Sequence, residues 1–228
     1  ARMCFYILHL GFYNINIENT QFSKNESASG GAIYMLEASN APQKTVVTTD
    51  SKTTFSENKA ITGNGGAIVS YDGEVNVNGS TFTGNQAVNG KGGAIANTNW
   101  QSQGTVNING GSTFTGNTAA QSGGAVYSEG IVNVDTESGD VTFSENTADG
   151  KANDIALSGT ADKTSQLNIT GSKNTLSVNA ISGNENSAIQ KSGSNTFAIN
   201  GDSSSFKGSF SQSSGTTNVN TGAKFFGG

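Results

Sequence analysis

Two short motifs alternate strictly along this chain, and that alternation restricts its possible folds more than any other feature. The first, Phe-x-x-Asn, occurs at Phe22/Asn25, Phe55/Asn58, Phe82/Asn85, Phe114/Asn117 and Phe143/Asn146. The second, Gly-Gly-Ala followed by Ile or Val, opens at Gly30-Gly31, Gly65-Gly66, Gly92-Gly93 and Gly123-Gly124. Successive phenylalanines are 33, 27, 32 and 29 residues apart, the spacing of fixed elements joined by loops of unequal length. A third element falls between Gly-Gly-Ala and the next phenylalanine: Glu74-Val75-Asn76-Val77-Asn78, Thr105-Val106-Asn107-Ile108-Asn109 and Ile131-Val132-Asn133-Val134-Asp135. Apolar and polar residues alternate in it, which is the period of a half-buried strand.

Each repeat therefore holds about three short strands separated by Gly/Asn/Ser corners, with no helical stretch between them. That describes an all-β chain wound as a right-handed parallel β-helix, a solenoid in which each coil stacks on the next. Side chains alternate in and out along a strand, so Phe82, Val75, Val77 and Ile68 are expected to face the axis, and Thr81, Thr83, Asn76 and Asn78 the solvent. One coil buries about five apolar groups at ~1.5–3 kcal/mol each. Ordering its backbone costs a similar amount, so coils must stack to fold. The paired glycines suit positive φ or close approach of neighbouring coils. The asparagines are expected to tolerate the left-handed region and to bond amide to amide as an internal or corner ladder.

The pattern weakens after residue 148, where Ala152-Asn153-Asp154-Ile155 replaces Gly-Gly-Ala. Three regions follow: 1–20 as an apolar N-terminal edge or cap, 21–150 as long coils, and 151–228 as shorter coils of the same helix, open at the C-terminus. The natural protein is expected to be longer than these 228 residues.

Gly, Ser, Thr and Asn make up about half of the chain and charged residues 13%. So thin an apolar content suits a repeat architecture, where each coil covers its neighbours. The net charge of −5 offers no basic stripe for nucleic acid. With Cys4 the only cysteine, neither an intrachain disulfide nor a cysteine zinc site can form. The single proline, Pro42, fits long backbone ladders that need every N–H.

The alternation of Phe-x-x-Asn with Gly-Gly-Ala-[Ile/Val], from Phe22 to Ala148, resembles the repeats of the chlamydial polymorphic outer-membrane protein family. The stretch Ile199 to Gly208 looks like the shorter repeats of other autotransporter passengers. The resemblance implies a surface-exposed or secreted passenger, an adhesin or stalk. It also implies an attachment to the membrane only through a C-terminal barrel that is not in this chain. The partners implied are a host or neighbouring cell surface, protein or glycan, with self-association by coil stacking also open.

No catalytic, cofactor-binding or metal-binding residue is assigned. Asp135, Glu137 and Asp140 form the only local acid cluster and are expected in a solvated loop insertion, apart from any stacked position. A glycosidase needs two carboxylates converging in a cleft. The sole histidine, His9, lies in an apolar terminal stretch and gives a Ser-His-Asp triad nothing to build on. Alternatives kept open are a β-helical polysaccharide lyase or hydrolase, a phage or fibre solenoid, and an ice-binding protein. The last would use the hydroxyl columns Thr54/Ser56, Thr81/Thr83, Thr113/Thr115 and Thr142/Ser144.

Overall fold

The computed structural model describes residues 13–37 and 44–226, together with the backbone of 5–9; Cys4 and Pro42 lie outside the described residues. Every regular element among them is a β-strand. Three sheets run the length of the molecule, with seven, eight and eight strands, and each takes one strand from every coil except that the last coil gives none to the first sheet. The chain is a parallel β-helix, as the repeats require.

One coil illustrates the rest. Ile68–Tyr71 lies in the first sheet, Glu74–Asn78 in the second and Thr81–Thr83 in the third. A two-residue strand, Gln86–Ala87, follows the asparagine corner and adds a short fourth sheet to the three expected. Pairing is in register and like stacks on like: Val75 on Val106, Val77 on Ile108, Phe82 on Phe114, Ile95 on Ile68. Phe82, Val75, Val77 and Ile68 are fully buried, while Thr83 and Asn78 are exposed and Thr81 and Asn76 half-buried. The strand period thus assigns the two faces as expected.

Vertical register brings the phenylalanines into a continuous stack. From Phe22 to Phe143 neighbouring ring centroids are 4.6–4.8 Å apart, and the planes are within 4–6° of parallel. That distance is the spacing of hydrogen-bonded strands, so the backbone sets the ring separation.

The two glycines of each pair differ in backbone conformation. Gly30, Gly65, Gly92 and Gly123 have φ of +62°, +70°, +69° and +65°, where a Cβ is strained. Both glycines also answer to space: a Cβ on Gly92 would lie 2.3 Å from the carbonyl oxygen of Ile95, and one on Gly93 2.0 Å from that of Gly124 in the next coil.

The fourth sheet ends in a hairpin. Lys151–Ala152 turns back antiparallel on Thr147–Ala148. The turn residues Asp149 and Gly150 both have positive φ, at 49° and 69°, the requirement of a tight two-residue hairpin. Beyond it the three long sheets continue through Ser165–Thr170, Thr175–Val178 and Ile181–Gly183 without the short strand. Phe197 there aligns with Leu176 and Val141, so the phenylalanine column is not resumed. At the other end, Phe5–His9 pairs in parallel with Ile33–Glu37 as the outermost strand of the first sheet.

A crowded glycine and an open one respond differently to a methyl group. Gly93→Ala is expected to cost about 3 kcal/mol or more, because backbone of the next coil must move. Gly116→Ala has φ +63° but nothing within 4 Å of the added carbon, and costs about 1–2 kcal/mol from φ alone. Urea unfolding midpoints give the order, and a Gly116 variant less stable than the Gly93 variant would show that coil contact is not the constraint.

Candidate functional site

Inside the corner after each phenylalanine, the asparagine amides form a one-dimensional ladder. Asn25 Nδ2 donates to Asn58 Oδ1, Asn58 to Asn85, Asn85 to Asn117 and Asn117 to Asn146, each at 2.9 Å. Each Oδ1 also accepts the backbone N–H of the asparagine one coil earlier, at 2.9–3.1 Å. The second amide hydrogen goes to a phenylalanine carbonyl of the preceding coil, as in Asn85 Nδ2 to Phe55 O at 3.0 Å. A buried primary amide offers two donors and two acceptor sites, and Asn85 uses all four.

The left-handed conformation expected of the asparagines falls instead on the residue before each: Lys24, Glu57, Gly84, Gly116 and Glu145, with φ of 53–63°. The reversal there turns the following asparagine inward beneath the corner, where its amide meets its neighbours.

The ladder ends on a carboxylate. Asp154 occupies the place of the alanine in Gly-Gly-Ala, since its carbonyl accepts the N–H groups of Ala125 and Val126. Its Oδ1 accepts Asn146 Nδ2 at 2.8 Å, and its Oδ2 accepts the N–H groups of Asn179 and Ala180 at 2.5 and 3.3 Å. The side chain is fully buried. Burial raises its pKa, and the bonds from Asn146, Asn179 and Ala180 oppose that rise.

Two members of the acid cluster, Glu137 and Asp140, lie exposed in the expected loop, and the third does not. Asp135 is the last residue of a stacked strand, between Asn109 and Thr170. Glu137 Oε2 accepts both the N–H and the hydroxyl of Ser172, at 2.7 and 2.6 Å, and its Oε1 lies 3.5 Å from Lys173 Nζ. Asp140 Oδ1 accepts the N–H of Thr175 at 2.8 Å. The Glu137 and Asp140 carboxylates tie the loop to the next coil, so the expectation that the cluster stands apart from any stacked position is corrected. The bonds from Ser172 hold the exposed Glu137 carboxyl below its usual pKa.

A lysine stands in the core, unforeseen in the sequence. Lys191 continues the inward column of Val77, Ile108, Val134 and Ile169. Its Nζ donates to Gly193 O and Asn195 Oδ1, both at 2.6 Å, and burial lowers its pKa. Among the described residues, no group of three or more His, Cys, Asp or Glu side chains could hold a metal ion.

The surface feature most unlike the repeat is an aromatic corner beside the first sheet. Tyr34, Leu36, Tyr71, Asn99 and Trp100 line an open cleft of about 350 Å³. Trp100, the chain's one tryptophan, is 62% exposed, yet its loop is held from beneath. The Asp72 carboxylate, itself 3% exposed, accepts the N–H groups of Trp100 and Gln101, both at 2.7 Å. Asn99 N–H donates to Glu129 Oε2 at 3.0 Å, and Asn99 Nδ2 to the Glu129 carbonyl at 2.7 Å. Glu129 in turn accepts the Tyr127 hydroxyl at 2.8 Å, and Lys91 donates to that hydroxyl at 3.0 Å. On the outer side Lys163 Nζ donates to Gln101 O at 2.9 Å, and Lys44 Nζ to Gln103 O. The motifs do not point to this corner. The signal available was a lone tryptophan in the interval between Gly92-Gly93-Ala94-Ile95 and the alternating segment that opens at Thr105.

Comparison with known proteins gives one family. The Chlamydia polymorphic membrane protein repeat matches at residues 19–35, 52–71, 79–98 and 111–129, and each match spans one Phe-x-x-Asn and its following Gly-Gly-Ala. The chain carries four repeats of that type. No curated protein and no solved structure matches it significantly. The matches stop before the coil in which Asp154 closes the ladder.

That closing residue sets a pH dependence. An acid whose pKa is higher folded than unfolded binds more protons when folded, so its stabilisation is present in acid and is lost as pH rises through the folded value. The stability of the parent relative to Asp154→Asn, followed by chemical unfolding, is expected to fall as pH rises above the ordinary carboxylate range. A difference that grows with pH over that window would mean that the bonds from Asn146, Asn179 and Ala180 outweigh burial.

Proposed function

We propose that this chain, a β-helix built on polymorphic-membrane-protein repeats, is a non-catalytic passenger that presents its surface outside a bacterial cell as an adhesin or stalk. The observation that carries the reading is the use made of its polar groups. The carboxylates of Glu137, Asp140 and Asp154 serve coil-to-coil hydrogen bonds. Glycoside hydrolysis needs two carboxylates facing one scissile bond; Asp135 and Glu137 do line one open cleft of about 810 Å³, but Asp135 accepts the Glu137 N–H and Glu137 the hydroxyl of Ser172. The outer face continues the structural theme, with Asn168 Nδ2 donating to Asn133 Oδ1, Asn133 to Asn107 and Asn107 to Asn76, at 2.9, 2.7 and 2.6 Å. The match to a membrane-protein repeat supports the surface location.

A rigid rod of stacked coils suits display, because its length follows from coil number and its flank repeats the same chemistry at each level. An antibody against the purified chain is expected to label intact cells of the bacterium that makes it. Beads coated with the chain are expected to attach to host or neighbouring cells. Labelling that appears only after the cells are permeabilised would sink the surface reading, and release of sugars from pectin or related polymers by the purified chain would sink the non-catalytic one.

A further inference from the structure

We infer that the corner formed by Tyr34, Tyr71 and Trp100 is a saccharide-binding site that stacks the face of a neutral pyranose ring. The inference rests on the surface reading above, since it names what such a surface would hold.

Three features of the corner support it. The first is shape: Tyr34 and Tyr71 lie side by side on neighbouring coils, ring centroids 5.6 Å apart and planes tilted by 44°. They make one wall of the cleft, and Trp100 enters from the adjoining loop. The second is preorganisation. The Trp100 backbone is fixed by the buried Asp72 carboxylate and by the bonds of Asn99 to Glu129, so a ligand would not have to order the loop that holds it. An exposed tryptophan on so constrained a loop contributes nothing evident to the core. The third is charge, because among the described residues neither an acidic nor a basic side chain lines the cleft.

These features select the ligand. The C–H bonds of one pyranose face are weakly positive and the face of an aromatic ring is negative, so an exposed aromatic face takes a sugar ring face to face, with the sugar hydroxyls left at the rim. Gln101 and Ser102, exposed beside Trp100, offer an amide and a hydroxyl there. A quaternary ammonium group is instead held by rings placed around it, whereas here the two tyrosines form a single side. A cleft of about 350 Å³ is at the small end for ligand sites, which suits one or two sugar units.

The chain's one tryptophan lies in the site, so its fluorescence reports occupancy directly. Titration with neutral disaccharides such as lactose, maltose and chitobiose, followed by a glycan array, is expected to yield at least one saturable emission shift or retained glycan. Trp100→Ala is expected to weaken retention about tenfold or more, and Tyr71→Ala to weaken it too, with the parental melting temperature kept by the Trp100 variant. The inference is overturned if the parent retains no glycan or if both variants retain it as the parent does. Saturation by choline in place of sugars would overturn it as well, as would cell attachment that needs Trp100 but survives enzymatic removal of surface glycans, which would make the partner a protein. Antibody labelling of intact cells does not depend on Trp100, so failure of the saccharide site and failure of the surface reading are told apart.

Discussion

Every feature of this molecule depends on the fixed vertical distance between hydrogen-bonded coils. Neighbouring strands must sit about 4.8 Å apart, and a side chain that repeats at the same height therefore meets its own kind. For phenylalanine this gives stacked, nearly parallel rings with centroids 4.6–4.8 Å apart. For asparagine the same distance closes an amide-to-amide bond of 2.9 Å while the second hydrogen reaches a carbonyl. Glycine is needed where backbone meets backbone and no side chain fits, as at Gly93 against Gly124. Three residue types with little in common chemically are thus placed by one length.

The amide ladders have direction. The inner one donates toward higher residue numbers, from Asn25 to Asn146, and the outer one donates the opposite way, from Asn168 to Asn76. A row of aligned amides leaves partial positive charge at its donating end, as the N–H end of a helix does. Asp154 stands at that end of the inner row and supplies the complementary negative charge. Burial and hydrogen bonding then act on it in opposite senses, which couples the middle of the solenoid to pH although its surface groups are tied by ordinary bonds.

The repeating part of the fold was legible in the sequence because period is a one-dimensional property. Phe82 and Val77 face inward, Thr83 outward, and Gly92 and Gly93 mark a corner; each follows from alternation and from what glycine allows. Residues that occur once were not legible. Asp154 reads as one more corner aspartate until its height beside Asn146 is known, and Asp72 until it is seen beneath Trp100. Lys191 follows Ala188-Ile189-Gln190, and only the register against Ile169 shows that it points to the axis. The carboxylates of Glu137 and Asp140 looked dispensable because the partners they hold, Ser172 and Thr175, are one coil further along. The aromatic corner escaped for the same reason, since Tyr34, Tyr71 and Trp100 come from successive coils and converge only when those coils are stacked.

The hairpin at Asp149-Gly150 has a consequence for how such a chain can change over generations. Coils before it share a four-part outline and an unbroken ladder, so one of them is interchangeable with the next. A duplication or loss of one whole unit between Phe22 and Phe114 joins equal ends, whatever the length of its loops. The hairpin and the aspartate behind it form a terminus that belongs to no unit and need be written in the gene only once. Copy number is therefore free to drift on one side of residue 146 while the closing piece stays the same, and the length of the rod becomes a heritable quantity that recombination can alter in whole steps.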